Sequence, residues 1–369
     1  MKRVEIITLH RITNFGSLLQ TYATQEVVKR LGYDTEVIDY VPDGITFKRG
    51  CFPKNNTPLL KKLVKLGPLF VCNLIQYNIV DNFLNRHITT TPKRYGKYSD
   101  LISDVPQADI YLSGSDQVWN TQNNNPKNDI KAYYLQFSPK GKKRIAFAGS
   151  FGKTEFSDEE SKEISNYISQ YNAVSVREDT ALATLEQHGR KDGVHVLDPT
   201  MLLTPQEWQK LFQDRKQPEK GYVFVYNLNR NGLIKEIAKA IADKKGLKII
   251  NFADTFDFIS GAQNRLFNTP YDFLNYLSNA DYVVTDSFHG TAFSINFNKQ
   301  FITVKAPKYN SRIESILRQT GLVESRFVSS VDQALQTINN DIDYKTVNQI
   351  VDEARNKSIS FLQKNLSDE

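Results

Sequence analysis

Residues 280–295, with the sequence ADYVVTDSFHGTAFSI, constrain the fold of this chain more than any other stretch. The apolar and β-branched run at 282–285 is typical of a buried strand. Asp286 and Ser287 are good N-cap residues for a helix that begins directly after it. His289 is therefore expected between the carboxyl end of a strand and the amino end of a helix, where open α/β sheets bind ligands. Because helix N-termini attract anions, the motif predicts an anion site with a histidine in its wall.

Two residues of this motif have a second interpretation. Gly290 lets either a ligand or another part of the backbone approach closely. A lone histidine at a strand end, such as His289, is also common as a helix cap or as a packed side chain. Function is favoured because other predicted strands of the chain end in similar polar clusters. These clusters are 114–116, 149–152, 177–179 and 198–200.

The order of predicted elements indicates the fold class. Residues 4–9, 16–31 and 35–40 form a strand, a helix and a strand, and such a βαβ unit favours a parallel sheet. A second series of strands and helices begins near Gly221. We expect an α/β protein of two doubly wound, Rossmann-like domains that face a cleft. The predicted domains are 1–205 and 206–369, the latter with a long terminal helix over 341–366.

The segment 57–87 differs from its surroundings because it is both basic and apolar. It places Lys61, Lys62 and Lys65 among leucines and is interrupted by Gly67-Pro68. One interpretation is a helical hairpin that packs on the first domain. The alternative is an interfacial patch that contacts anionic lipid headgroups, which would make the protein peripheral at the inner face of the membrane.

Composition excludes several classes of protein. The formal net charge of +6 suits an anionic partner, but no nucleic-acid-binding module accompanies it, so nucleic acid is not expected as a partner. Two cysteines, Cys51 and Cys72, predict neither a disulfide framework nor a zinc site. The N-terminus leads directly into a strand without a signal peptide, and no run is long enough to span a bilayer. These features predict a cytoplasmic location.

Six short segments together carry a family resemblance. They are NFGSLLQTYA at 14–23, LSGSDQVWN at 112–120, AGSFG at 148–152, SVRE at 175–178, LDPT at 197–200 and TDSFHG at 285–290. Each is weak alone, but in this order they are specific, and the chain resembles the polysaccharide pyruvyl transferase family. The resemblance implies a fold like that of GT-B glycosyltransferases. It also implies transfer of pyruvate from phosphoenolpyruvate onto two hydroxyls of a sugar, which forms a cyclic ketal.

The resemblance implies partners for each domain. The first domain is expected on the acceptor side and the second on the phosphoenolpyruvate side. The acceptor would be a sugar of a surface-polysaccharide precursor such as a capsule or exopolysaccharide unit, for example a lipid-diphosphate-linked oligosaccharide. This chemistry requires neither a metal nor a further cofactor.

Roles for individual residues follow from the reaction. Arg177 can clamp an anionic group of the donor bidentately, while His289 can donate to phosphate or act as the acid. Asp116 is the candidate for the base or for orienting the sugar hydroxyls, although it could equally cap the turn after its strand. Trp119 could form a stacking wall for the sugar. The further candidate binding residues are Asn14, Gly16, Ser115, Ser150, Phe151, Glu178, Ser287, Gly290 and Arg312.

Two of these residues and the activity itself have alternatives. Glu178 could pair with Arg177 and hold it in place, and Arg312 could be an ordinary surface arginine. The first alternative activity is that of a GT-B-type glycosyltransferase, which would use a sugar nucleotide and need a base-binding pocket in the second domain. The second alternative is a non-catalytic partner in polysaccharide assembly.

Overall fold

The computed structural model describes residues 1–42, 68–121, 130–253, 257–306 and 310–367. The chain divides into two compact units, one formed by Met1–Leu202 with Arg355–Glu369 and the other by Leu203–Ala354. The first boundary lies close to the expected 205/206. The terminal segment differs from the expected assignment, because residues 355–369 belong to the first unit. There the backbone N–H of Leu197 donates to the Ser358 hydroxyl at 2.9 Å, and Phe361 stacks on Phe147 with ring centroids 6.2 Å apart.

The first unit is built on a parallel sheet, and the described residues contribute seven strands to it. The strands are β1 (Arg3–Ile7), β2 (Asp34–Tyr40), β3 (Thr90–Tyr95), β4 (Ile110–Ser113), β5 (Lys143–Gly149), β6 (Ala173–Val176) and β7 (Val194–His195). Their order across the sheet is β3-β2-β1-β4-β5-β6-β7. The order reverses between β1 and β4, so this pair marks the topological switch point where ligands bind in doubly wound folds.

Helices connect these parallel strands. They are α1 (Phe15–Arg30), α2 (Pro68–His87), α3 (Tyr98–Ser103), α4 (Ile130–Tyr133), α5 (Asp158–Ile168) and α6 (Asp179–Gln187), and a 3₁₀ turn follows at Pro199–Met201. Helix α1 begins where the Asn14 side chain accepts a hydrogen bond from the Gly16 N–H at 2.9 Å. It ends before Gly32, whose φ of 89° is a conformation that glycine adopts without strain.

The insertion between β2 and β3 is described only in its second half. That half is helix α2, and it packs on the first unit through the buried side chains of Val80, Phe83 and Leu84. The Phe83 ring meets Tyr22 of α1 edge to face, with centroids 6.2 Å apart. Residues 57–67, including Lys61, Lys62 and Lys65, lie outside the described residues.

The second unit repeats the design with a parallel sheet to which the described residues contribute six strands. They are β8 (Tyr222–Tyr226), β9 (Lys248–Phe252), β10 (Gln263–Arg265), β11 (Tyr282–Thr285), β12 (Gln300–Val304) and β13 (Phe327–Val328), in the order β10-β9-β8-β11-β12-β13. The switch point therefore lies between β8 and β11. The helices are α7 (Pro205–Gln209), α8 (Gly232–Lys245), α9 (Pro270–Asn279), α10 (Phe288–Asn296), α11 (Ser311–Gln319), α12 (Val323–Arg326) and α13 (Val331–Thr337). The last helix, α14 (Tyr344–Leu366), begins in the second unit, and its residues from Arg355 onward belong to the first.

Each unit has its own apolar core. In the second unit, Val223, Val225 and Val284 of the sheet pack against Ile237 and Ile241 of α8. Burial of such side chains stabilises a unit by about 1.5–3 kcal/mol each. Within the described ranges, no helix combines the length and apolar character needed to cross a bilayer. The predicted α/β class with two parallel, doubly wound sheets is confirmed.

Candidate functional site

The carboxyl edge of the first sheet places a carboxylate at the switch point. Asp116 follows β4 and is 5% exposed. Its backbone has a φ of 75°, in the left-handed region, and forms an isolated parallel bridge with Gly149 of β5. Aspartate tolerates this conformation better than most residues. The side chain is thus delivered to the edge by a backbone that few other residues would adopt.

Hydrogen bonds fix the Asp116 carboxylate from several directions. The Ser17 hydroxyl of α1 donates to one oxygen. The other oxygen accepts from the Gln117 N–H at 2.9 Å and from an Arg177 nitrogen at 3.0 Å. Donors of this kind keep the carboxylate oriented. Asp116 is therefore placed to accept a hydrogen bond from a hydroxyl.

Arg177 forms an ion pair with this carboxylate, and its side chain is 0% exposed. One terminal nitrogen donates to Asp116, the other donates to Asp198 at 2.7 Å, and Glu178 lies 3.6 Å from Nε. Burial alone would lower the pKa of Arg177, but the three carboxylates raise it above its ordinary value. The expected bidentate clamp is thus present, but its partners are Asp116 and Asp198 of this chain.

Three further candidates of the first unit, Ser115, Ser150 and Glu178, take part in this ion-pair cluster. The Ser115 hydroxyl donates to Asp198 at 3.0 Å, and the Ser150 hydroxyl donates to Glu178. Glu178 pairs with Arg177, as one of the two sequence interpretations holds. Asn14 and Gly16 lie at the start of α1, which follows β1 at the same edge. Sequence reasoning missed Ser17 as a donor to Asp116, although it lies in the quoted segment 14–23.

Trp119 and Phe151 are placed in the core. Trp119 is 0% exposed and stacks on Tyr134 with ring centroids 5.3 Å apart and an interplanar angle of 3°. Phe151 lies against the same indole at 5.0 Å. A Cβ on Gly149 would lie 2.7 Å from the Trp119 ring, so glycine is needed there for packing. This packing accounts for Trp119 without a sugar and differs from the expected stacking wall.

The carboxyl edge of the second sheet carries the histidine motif. Ser287 is the N-cap of α10, and its hydroxyl accepts from the Gly290 N–H at 3.2 Å. His289 lies in the first turn of this helix and is 5% exposed. The predicted position between strand and helix is therefore confirmed. A Cβ on Gly290 would lie 2.5 Å from the Thr285 hydroxyl, so this glycine is required for the helix to approach the strand.

Asp286 has a role that the sequence did not reveal. Its carboxylate accepts hydrogen bonds from the backbone N–H groups of Leu228 at 2.8 Å and Asn229 at 3.1 Å, and from the Asn229 amide at 2.9 Å. Burial raises the pKa of Asp286 above its ordinary value, although these three bonds oppose the shift. Asp286 thus ties the loop after β8 to the His289 turn, whereas Ser287 caps the helix.

Arg312 lies in the first turn of α11, which follows β12. Because β12 is parallel to β11, the loop that leads to α11 leaves from the same edge as the His289 turn. The Arg312 side chain is half-buried. Among the described residues, no group of three or more His, Cys, Asp or Glu side chains is arranged to hold a metal ion.

Several known structures have a similar fold. A putative UDP-N-acetylglucosamine 2-epimerase from Listeria monocytogenes matches with a TM-score of 0.56 at 10% identity, over 99% of this chain and 96% of that chain. The UDP-GlcNAc 2-epimerase from Methanocaldococcus jannaschii matches with a TM-score of 0.54 at 11% identity, over 93% of each chain. At such identity the similarity shows the fold alone, which is GT-B-like as predicted.

The sequence itself matches a family model. Curated proteins yield no match to this chain. The model of polysaccharide pyruvyl transferases, however, matches residues 14–305, which is well over half of the 369 residues. The matched range begins at the cap of α1 and includes Asp116, Arg177 and His289. The chain therefore belongs to the polysaccharide pyruvyl transferase family.

Proposed function

We propose that this transferase moves pyruvate from phosphoenolpyruvate onto two hydroxyls of a sugar and forms a cyclic ketal. The observation that carries the proposal is the position of His289 in the first turn of α10, at the switch point of the second sheet. A helix N-terminus and a histidine suit a substrate that carries phosphate and carboxylate groups. Family membership makes phosphoenolpyruvate the natural donor.

The acceptor side of the reaction is assigned to the first unit. Asp116 is the carboxylate that would take the proton of an attacking sugar hydroxyl, because it is ordered by Ser17 and Gln117 at the switch point. Arg177 is assigned a positioning role, since its terminal nitrogens already donate to Asp116 and Asp198. This assignment replaces the direct contact between Arg177 and the donor that the sequence suggested.

The proposed reaction balances without a metal or redox partner. Protonation of the methylene carbon of phosphoenolpyruvate makes the adjacent C2 electrophilic, and one sugar hydroxyl oxygen forms a bond to C2. The bond between C2 and the phosphate oxygen then breaks, and the second hydroxyl attacks C2 to close the ketal. One hydroxyl proton compensates for the proton gained by the new methyl group, and the other leaves with phosphate. His289 is assigned to protonate the donor or to stabilise the leaving phosphate.

A lipid-diphosphate-linked oligosaccharide is the acceptor proposed for this family member, met at the cytoplasmic face of the membrane. The three lysines of segment 57–67 would each contribute about 1 kcal/mol at an anionic surface. On the neighbouring α2, Val71 and Leu74 are exposed apolar residues. Co-sedimentation with anionic vesicles at low and high salt tests this contact. Changing Lys61, Lys62 and Lys65 to Glu should abolish it, and equal sedimentation of both proteins would contradict it.

The activity is tested by offering the protein phosphoenolpyruvate with a panel of lipid-linked and free oligosaccharides. Phosphate release that depends on the acceptor, together with a product bearing pyruvate as a ketal, supports the proposal. Consumption of UDP-GlcNAc with release of UDP would instead favour the glycosyltransferase alternative. Absence of turnover with every donor, although the donor binds, would favour a non-catalytic partner in polysaccharide assembly.

A further inference from the structure

The loop between β8 and α8 presents an exposed arginine at the switch point of the second sheet. Residues 227–231 have the sequence NLNRN, and Arg230 is exposed within it. This loop leaves β8, and the His289 turn leaves the adjacent strand β11 at the same edge. In doubly wound folds, ligands bind in the crevice between two such loops. Arg230 is therefore placed where a ligand of this unit would lie.

The loop is held on one side by the His289 turn. Asp286, three positions before His289, accepts the three hydrogen bonds from Leu228 and Asn229. Arg230 is the next residue along the chain. Its position is thus coupled through Asn229 and Asp286 to the turn that carries the proposed catalytic histidine.

Two asparagines hold the loop on its other side. The Asn231 N–H donates to the Asn227 side chain at 2.9 Å, and the Asn227 amide donates back to the Asn231 carbonyl at 3.2 Å. The Asn231 side chain also caps α8 by accepting from the Leu233 N–H at 3.1 Å. The residues on both sides of Arg230 in the sequence are therefore held by hydrogen bonds, which leave its backbone little freedom.

The backbone of Arg230 is strained. Its φ is 52°, in the left-handed region. For a residue without a short polar side chain, this conformation costs on the order of 1–2 kcal/mol. Glycine would adopt it freely, so the arginine side chain is retained at a position where its backbone is unfavourable. This cost is explained if the guanidinium binds a ligand at this edge of the sheet.

Two other cations of this unit, Lys235 and Lys305, are already paired. Lys235 of α8 lies 2.6 Å from Asp257, and Lys305 after β12 lies 3.9 Å from Glu314 and over the Phe327 ring. Among the described residues, Arg230 makes no ion pair or hydrogen bond through its side chain. It is consequently available to a ligand anion without first breaking a contact to any of these described residues.

We propose that Arg230 binds the phosphate of phosphoenolpyruvate, an inference that rests on the proposed function and extends it to a residue outside the recognised motifs. The guanidinium offers parallel N–H donors that match phosphate oxygens. The N-termini of α8 and α10 follow the same pair of strands and add positive partial charge. Arg230 and His289 would then approach the donor from the two sides of the switch point.

The variant Arg230→Gly separates binding from folding, because it removes the guanidinium and also relieves the backbone strain. Asn298→Gly is the matched control, since Asn298 has a φ of 55° and is exposed in the same unit. Calorimetric titration of each full-length protein with phosphoenolpyruvate, and separately with inorganic phosphate, measures the effect. We expect Arg230→Gly to bind both ligands about 10-fold or more weakly than wild type. Its unfolding temperature should be no lower than that of wild type. Asn298→Gly should bind like wild type.

Three results would overturn the inference. They are unchanged affinity of Arg230→Gly for both ligands, loss of phosphoenolpyruvate binding with intact phosphate binding, and a wild-type protein that binds neither anion. Acceptor-dependent phosphate release by the wild type, measured separately, decides the proposed function. An active wild type with an unaffected Arg230→Gly variant therefore rejects the role of Arg230 and leaves the transferase assignment in place.

Discussion

Arg177 donates a hydrogen bond to Asp116 at 3.0 Å inside an ion-pair cluster that excludes solvent from the guanidinium. The same side chain bridges to Asp198, which in turn holds the hydroxyls of Ser115 and Thr200. Asp116 is thereby connected to the ends of β6 and β7 as well as to α1. We infer that Arg177 acts on the reaction through the orientation of Asp116.

The variant Arg177→Lys should lower kcat more than it raises the KM for phosphoenolpyruvate. A lysine keeps one positive charge, but its single ammonium group cannot reproduce the planar fork between Asp116 and Asp198. The same change should destabilise the fold by less than about 3–5 kcal/mol, the cost of removing one partner of a buried ion pair, because the lysine keeps the charge. Steady-state kinetics and urea unfolding measure the two effects. A raised KM with unchanged kcat would place Arg177 against the donor after all.

His289→Ala should abolish transfer while the protein stays folded. Loss of an acid or of a hydrogen bond to the leaving phosphate costs on the order of 100-fold or more in kcat. His188→Ala is a suitable control, since His188 is the C-cap of α6, and its ring hydrogen-bonds to the Thr184 carbonyl at 2.7 Å and packs edge to face on Phe156. Comparing turnover and thermal unfolding of both variants checks the prediction. Wild-type turnover in a well-folded His289→Ala protein would rule out the assignment.

Gly290→Ala should destabilise the second unit by about 1–3 kcal/mol through overpacking. The added Cβ would lie 2.5 Å from the Thr285 hydroxyl and 3.1 Å from its Cβ, so α10 would have to move away from β11. The double variant Gly290→Ala/Thr285→Ala removes the 2.5 Å contact with the hydroxyl but keeps the 3.1 Å contact with Cβ, so it should recover part of the loss. Urea unfolding of the two single variants and the double variant gives the coupling energy. Strictly additive effects would show that the two residues do not conflict.

Glu5 should make stability depend on pH near neutrality. Glu5 lies in β1 and is 0% exposed. Its Oε1 accepts a hydrogen bond from Arg3 Nε at 2.9 Å, and burial raises the pKa of Glu5 from 4.5 to about 7. Because the folded-state pKa is the higher one, the stabilisation is present at low pH and is lost as pH rises from about 4.5 to about 7. The loss amounts to about 3 kcal/mol.

The test for Glu5 compares wild type with Glu5→Gln, which has no ionisable group at this position. Urea unfolding at about pH 5 and about pH 8 gives the free energy of unfolding of each protein. The free energy of unfolding of the wild type, relative to that of Glu5→Gln, should be lower at about pH 8 than at about pH 5. The same difference at both values would show that Glu5 does not titrate in this range.

Most of the sheets could be predicted from the sequence, because their central strands are short, buried apolar runs. The strand 282–285 is observed with the predicted bounds, and the strand 222–226 begins directly after Gly221, where the second series of elements was predicted. Edge strand β3 was missed, since its sequence TTPKRY carries charged residues where only one face is buried. Strand β10 has only three polar residues and no apolar pattern. Edge strands of this kind are defined by their neighbours rather than by their own composition.

The location of the candidate site could be predicted better than the roles of its residues. His289 lies at the strand end where the motif placed it, because strand, cap and helix signals are local. Burial of Trp119 against Tyr134 and the pairing of Arg177 with Asp198 depend on contacts between distant parts of the chain. Arg230 carries no sequence signal at all, since its left-handed backbone becomes visible only in the structure.

The central claim is that this protein makes a pyruvyl ketal from phosphoenolpyruvate, and mass spectrometry of the acceptor tests it most directly. The wild type, incubated with phosphoenolpyruvate and a lipid-linked or free oligosaccharide, should release one phosphate for each acceptor that gains one pyruvate less one water. His289→Ala should leave the acceptor mass unchanged. Transfer of a sugar from UDP-GlcNAc to the same acceptor, with no mass change from phosphoenolpyruvate, would contradict the account.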